Sequence, residues 1–202
     1  MKDFSDVQVP IVSGETYQFV PHDTYNLIRG NIFIEGLILD EIGTDVLKQI
    51  LFLNRTEKEF INIFIDSPGG SFDATVLIIT AMNQSPKKIR TINYNKACSG
   101  GAMIAYNGTP GYRLSYPYSR WMIHDGAITG NDGAKKVNKV KLDYDDLRKT
   151  NEFVIKNLVK ITGKPAKFFK EFLPKDKHMS ASEALKLNLF DRYVTKKDTL
   201  EF

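Results

Sequence analysis

The hydrophobic period of the chain changes several times, and each change marks an element. NIFIEGLIL (31–39) alternates apolar and polar positions before running apolar, which predicts a strand. Over 40–54, Ile42, Val46, Leu47, Ile50, Leu51 and Leu53 fall near helical spacing, so a helix is expected to cover that strand. FINIFID (60–66) predicts a second strand that stops abruptly at the turn Ser67-Pro68-Gly69-Gly70, and the unbroken run from Phe72 to Gln84 predicts the helix after it. IRTINYN (89–95) reads as a third strand, and the small residues Ala97 to Ala102 lead into a helix through Tyr106. Tyr112–Leu114 and Trp121–Ile123 are short strand candidates, and Asp125–Gly133, with three glycines, reads as a loop or irregular edge strand. The longest helical pattern is 134–161, where Val137, Val140, Tyr144, Leu147, Val154, Leu158 and Ile161 recur at threes, fours and sevens until Gly163 and Pro165. A short helix over Lys164–Phe172, a capping-box helix from Ser180-Ala181-Ser182-Glu183 to about Leu187, and a strand at Asp191–Thr195 complete the pattern. Residues 1–22, broken by Pro10, Gly14 and Pro21, read as an irregular, mobile arm.

Repeated alternation of strand, turn and helix predicts an α/β domain with right-handed crossovers. A length of 202 residues, 42% hydrophobic and 26% charged, suits one such domain, with a core that needs no disulfide or metal staple. The single cysteine, Cys98, allows neither an internal disulfide nor a Cys-rich zinc site. No apolar run is long enough to span a bilayer, and the first residues lack a signal-peptide core, so the reading is a cytoplasmic protein. A net charge of +4 raises the question of a nucleic-acid partner. Acids at Asp143, Asp145, Asp146, Glu152 and Glu171 interleave with the lysine clusters, however, and make them solvated helix faces. The long helix spreads its apolar residues: Val137, Val140, Leu147 and Val154 lie on one side, Leu142, Ile155 and Val159 on others. That spread predicts packing against another subunit.

Acyl transfer near neutral pH needs an activated hydroxyl, a base, a group that orients the base, and donors for an oxyanion. Ser99 sits among small residues at a strand-to-helix junction, where the chain can turn sharply and present Oγ, with the Gly100 N–H beside it. A glycine-rich packing contact with an incidental serine would look the same. Gly69 and Gly70 follow a strand end and can expose N–H groups with no Cβ in the way, as can an ordinary turn. His124 is the one histidine of three that ends a buried-looking strand; His22 falls in the arm and His178 in a charged loop. Asp176 precedes the capping box, and its rival Asp125 adjoins His124, where strand alternation would turn it to the opposite face. Cys98 is a conceivable alternative nucleophile. Neither a Walker A nor a dinucleotide fingerprint is present, and no paired-histidine metal motif; no cofactor and no metal is expected.

These residues together resemble the ClpP family of ATP-dependent proteolytic subunits. Ser67-Pro68-Gly69-Gly70 matches its SPGG turn, Ala97-Cys98-Ser99-Gly100-Gly101-Ala102 is similar to its A-A-S-M-G-A segment, and Met122-Ile123-His124 matches M-I-H. Asp176 with Met179-Ser180-Ala181 and Glu183-Ala184, then Leu189-Phe190-Asp191, resembles its R-D-x-x-L/M-S/T-A-x-E-A and G-L-I/V-D stretches. The likeness covers roughly residues 20–195 in the family's order. It implies a ClpP/crotonase-like spiral of ββα units with a protruding handle helix at about 134–161, an axial arm at 1–22, a peptidase domain at 23–195 and a tail at 196–202. It implies a serine endopeptidase acting on unfolded polypeptides and short peptides. Ser99 would be nucleophile, His124 general base and acid, Asp176 its orienting group, and the N–H groups of Gly70 and Gly100 the oxyanion hole. It further implies two stacked heptameric rings fed by an AAA+ unfoldase, with neither nucleic acid nor membrane as partner. The chain departs from the pattern at Asp125-Gly126, where the family has glutamine–proline, at Gly100 for methionine, and at Lys175 for arginine. This divergence suggests a phage-type or accessory paralogue. A phage capsid-maturation protease and a crotonase-type acyl-CoA enzyme are the alternatives.

Overall fold

Isoleucines at alternate positions build the centre of the molecule. The computed structural model describes residues 7–13, 16–126 and 137–198. In β3 (Asn31–Ile38) and β4 (Phe60–Gly70), Ile32, Ile34, Ile61, Ile63 and Ile65 are buried on the faces of a mostly parallel sheet. β3 pairs with β4, β4 with β5 (Lys88–Cys98), β5 with β6 (Arg113–Ser115), and β6 with β9 (Arg192–Tyr193), all parallel. One side is covered by α2 (Asp40–Leu53), α3 (Phe72–Gln84) and α4 (Gly100–Tyr106), whose Val46, Ile50, Ile78, Met82 and Ile104 fill the main core. The other side carries a smaller cluster of Phe64, Ile92 and Leu114, on which Phe33 stacks against Phe64 at 4.8 Å. The fold class is therefore mixed α/β.

Three features differ from the sequence expectation. The described part of the arm is not irregular: β1 (Gln8–Ser13) and β2 (Thr16–Pro21) form an antiparallel hairpin, and His22 opens a further helix, α1 (His22–Arg29). The β4 strand does not stop at Ser67. A register shift opposite Gly36 lets it continue, pairing Leu37 with Gly69 and Ile38 with Gly70. Lys177–Ser180, including His178, is not a loop but a strand, β8, antiparallel to β7 (Arg120–Ile123).

The long helix, α5 (Val137–Thr162), is followed by α6 (Ala166–Phe172) and a 3₁₀ turn at Leu173–Lys175. Its second half packs down through Val154 and Leu158, while Val140, Leu142 and Tyr144 in its first half are more than half exposed. Lys139–Asp143 and Arg148–Glu152 ion pairs run along its surface at i,i+4 spacing, consistent with solvated charged faces. The capping box over Ser180 and Glu183 forms as expected and opens α7 (Ala181–Lys186). Residues 127–136, which hold most of the glycine loop and the first residues of the expected long helix, lie outside the described residues. Among the described residues no helix is long and apolar enough to cross a membrane.

Candidate active site

Ser99 stands where β5 stops and α4 starts. Its N–H donates to Met122 O at 2.8 Å, extending the β5–β7 pairing of Cys98 with Met122 by one residue. Its carbonyl accepts from Met103 N–H at 3.0 Å, the first bond of α4. Serving both neighbours forces φ 52° and ψ −121°, a conformation that costs a residue with a Cβ about 1–3 kcal/mol. A strained strand-to-helix turn of this kind can expose a nucleophile. Ser99 makes no side-chain cap on α4; its Oγ lies 2.7 Å from His124 Nε2.

Strand register supplies the other two residues. His124 directly follows β7, which runs beside the end of β5. Because β8 is antiparallel and pairs Ile123 with Lys177, the next facing positions are His124 and Asp176. His124 Nδ1 lies 3.5 Å from Asp176 Oδ1, an ion-pair distance of the kind that tightens once substrate is bound. Asp176 reaches this position in a left-handed turn, φ 42° and ψ 66°, just after the 3₁₀ turn.

Asp125 does not turn away from the site. β7 ends at Ile123, so strand alternation no longer applies one residue past His124. One ligand-capable atom from each of His124, Asp125 and Asp176 falls within 4.8 Å of the others, the one such grouping of three among the described residues. Asp125 and Gly126 are held against α5 by the Gly126 N–H, which donates to Asn151 Oδ1 at 2.5 Å. Cys98 is half-buried, and burial pushes its thiol pKa up, away from the thiolate a nucleophile needs.

The two glycine turns pack on each other. A Cβ on Gly69 would stand 2.8 Å from Cys98 O, Gly100 N and Ser99 Cβ, so Gly69 backs the serine turn while Gly70 and Gly100 line the cavity in front of it. Gly100 is the first residue of α4, where an N–H has no acceptor within the helix. Its identity also has a steric reason, because a Cβ there would lie 2.4 Å from Thr75 Oγ1. Thr75 is fully buried and held by its hydroxyl on Ser71 O at 2.8 Å, so it takes the space that a methionine side chain would need. Gly100→Ala is therefore expected to lower stability by about 1–3 kcal/mol through overpacking. Adding Thr75→Ala should recover most of that loss, read as a non-additive double-mutant cycle in urea. Additive losses would contradict the packing argument.

A cavity of about 380 Å³ opens at Ser99 and His124. Its apolar walls are Phe72, Met103, Ile123, Leu147 and Val154; Thr75, Tyr106, Thr150, Asp125, Asp143 and Asp146 line it as well. Sequence reasoning found the motifs at the mouth but not these walls. Met103 and Tyr106 are detectable in hindsight, since positions 99, 103 and 106 share one face of a helix. The contribution of α5 depends on tertiary packing and leaves no local signal.

The sequence is similar to known proteins over most of its length. Residues 20–197 match the Clp protease family. The chain is 29% identical over 187 residues to the ATP-dependent Clp protease proteolytic subunit 2 of Leifsonia xyli subsp. xyli, covering 91% of this chain and 83% of the relative. It is 28% identical over 195 residues to proteolytic subunit 1 of Rhodococcus jostii, covering 91% and 85%, and 27% identical over 199 residues to proteolytic subunit 2 of Corynebacterium jeikeium, covering 93% and 94%.

Proposed function

The chain belongs to the Clp protease family and is a serine-type peptidase, and on that premise we propose that it is the proteolytic subunit of a compartmentalised, ATP-dependent protease working through Ser99, His124 and Asp176. The observation that carries the triad is the continuous line from Ser99 Oγ to His124 Nε2 at 2.7 Å and from His124 Nδ1 to Asp176 Oδ1 at 3.5 Å, at the mouth of a side-chain-sized cavity. His124 takes the Ser99 proton as Oγ attacks the scissile carbonyl, then gives it to the leaving amine. Asp176 holds the proton-bearing Nδ1 toward itself and stabilises the imidazolium formed during attack. Gly70 and Gly100 line the cavity beside Ser99, and in this reading their N–H groups receive the oxyanion. A water then repeats the cycle on the acyl-enzyme.

The assembly reading rests on the exposed first half of α5 and on the relatives' names, which carry the words ATP-dependent and subunit. Val140 and Tyr144 share one face of the helix and Leu142 lies on another, exposed apolar positions that further copies would cover. In this reading α5 is the handle helix at a ring–ring contact, residues 1–22 are the axial arm, 23–195 the peptidase domain and 196–202 a tail. Two heptameric rings enclose the sites, and an AAA+ unfoldase feeds them unfolded polypeptide from the cytoplasm. Light scattering at micromolar concentration is expected to give the mass of a tetradecamer. That species should hydrolyse short fluorogenic peptides and leave folded proteins intact without an ATPase. A monomer that cleaves peptides well would contradict the chamber.

A further inference from the structure

Tyr106 is the last residue of α4 and is fully buried, with the cavity at Ser99 on one side of it. Its hydroxyl has no hydrogen-bond partner among the described residues. Buried phenol groups nearly always find one, because leaving such a group unpaired costs about 1–3 kcal/mol. That hydroxyl is closed to solvent in this structure, so a substrate side chain that reaches it from the cavity gives it its first partner.

The position of Tyr106 relative to the nucleophile is set by helix geometry. Seven residues separate Ser99 from Tyr106, two turns of α4 and about 10 Å of rise, so both lie on the face that also carries Met103. Helical side chains lean toward the N-terminus, which directs the Tyr106 ring back toward Ser99. Phe72, Met103, Ile123 and Val154 line the space between with apolar surface.

We propose that Tyr106 sets the specificity of this site, selecting at the position before the scissile bond a long, neutral side chain with an acceptor at its tip, glutamine among the coded residues. The inference rests on the peptidase reading above. Burial pushes the Tyr106 phenol pKa up, so the group stays protonated and donates. A glutamate or a lysine tip would have to leave its charge at a fully buried end among apolar walls. A leucine or methionine would seal the cavity and leave the phenol unpaired, and sites built to hydrogen-bond a substrate discriminate strongly against such analogues.

The test compares two fluorogenic peptides that differ only in glutamine or methionine before the scissile bond, using the full-length protein and Tyr106→Phe. The wild type is expected to favour glutamine in kcat/KM. Tyr106→Phe should lower the glutamine-to-methionine ratio about tenfold or more without lowering Tm, because the lost hydroxyl had no protein partner. A ratio unchanged by the substitution, with both proteins active and labelled at Ser99 by a fluorophosphonate, overturns this inference alone. Absence of both hydrolysis and labelling removes the peptidase reading, and the inference with it.

Discussion

Ser99→Ala is expected to reduce kcat for short peptides by on the order of 10⁶-fold, as removal of the nucleophile does in other triad enzymes, while leaving fold and assembly unchanged. The second half of that expectation follows from the backbone. The strain at Ser99 belongs to φ 52° and ψ −121° and is imposed by the bonds its N–H donates to Met122 O and its carbonyl accepts from Met103 N–H, so alanine inherits it without adding to it. The side chain has no structural duty to lose, since it caps nothing and its partner is His124. Urea unfolding and light scattering should therefore superimpose with wild type. Surviving activity in this variant would move the nucleophile elsewhere, with Cys98 the first candidate.

Asp176→Asn is the second large effect, a loss in kcat of up to about 10⁴-fold at unchanged structure, because an amide favours the wrong tautomer of the imidazole. Asp176 is mostly exposed at its side chain and sits in a left-handed turn that asparagine tolerates well, so the fold does not depend on its charge. The comparison that gives the result meaning is Asp125→Asn. Asp125 lies on the same side of His124, contrary to strand alternation, and contributes its charge to the electrostatics of the site. Its substitution should cost far less than that of Asp176, whose position is dictated by the β7–β8 register. Equal, severe losses in kcat for both variants would mean that the two carboxylates orient His124 jointly.

The contrast between Asp125 and Asp176 also shows what was legible in the sequence. Strands with alternating isoleucines and helices with apolar stripes announce themselves locally, and Phe72–Gln84 and the Ser180–Glu183 capping box stand where their patterns put them. β8 does not announce itself. Of Lys177, His178, Met179 and Ser180 only Met179 is buried, so an edge strand reads as a charged loop, yet this strand brings Asp176 to His124. The β1–β2 hairpin is hidden for the same reason, since among its described side chains most are exposed and only Val20 is buried. The continuation of β4 through Pro68 depends on a bulge in which Ser67 and Pro68 stand opposite the single Gly36 of β3, a relation between strands that neither segment encodes alone. The motifs at the mouth of the site were readable because each is a short backbone device. The walls of the cavity were not, because α4, α5 and the segment after β7 meet there only after folding.

Fluorophosphonate labelling followed by mapping of the modified peptide tests whether Ser99 is the activated nucleophile. A triad hydroxyl 2.7 Å from His124 Nε2 should react stoichiometrically. A single label on Ser99 is expected, abolished in Ser99→Ala and strongly slowed in Asp176→Asn. Labelling at any other residue, or none in correctly folded protein, would contradict it.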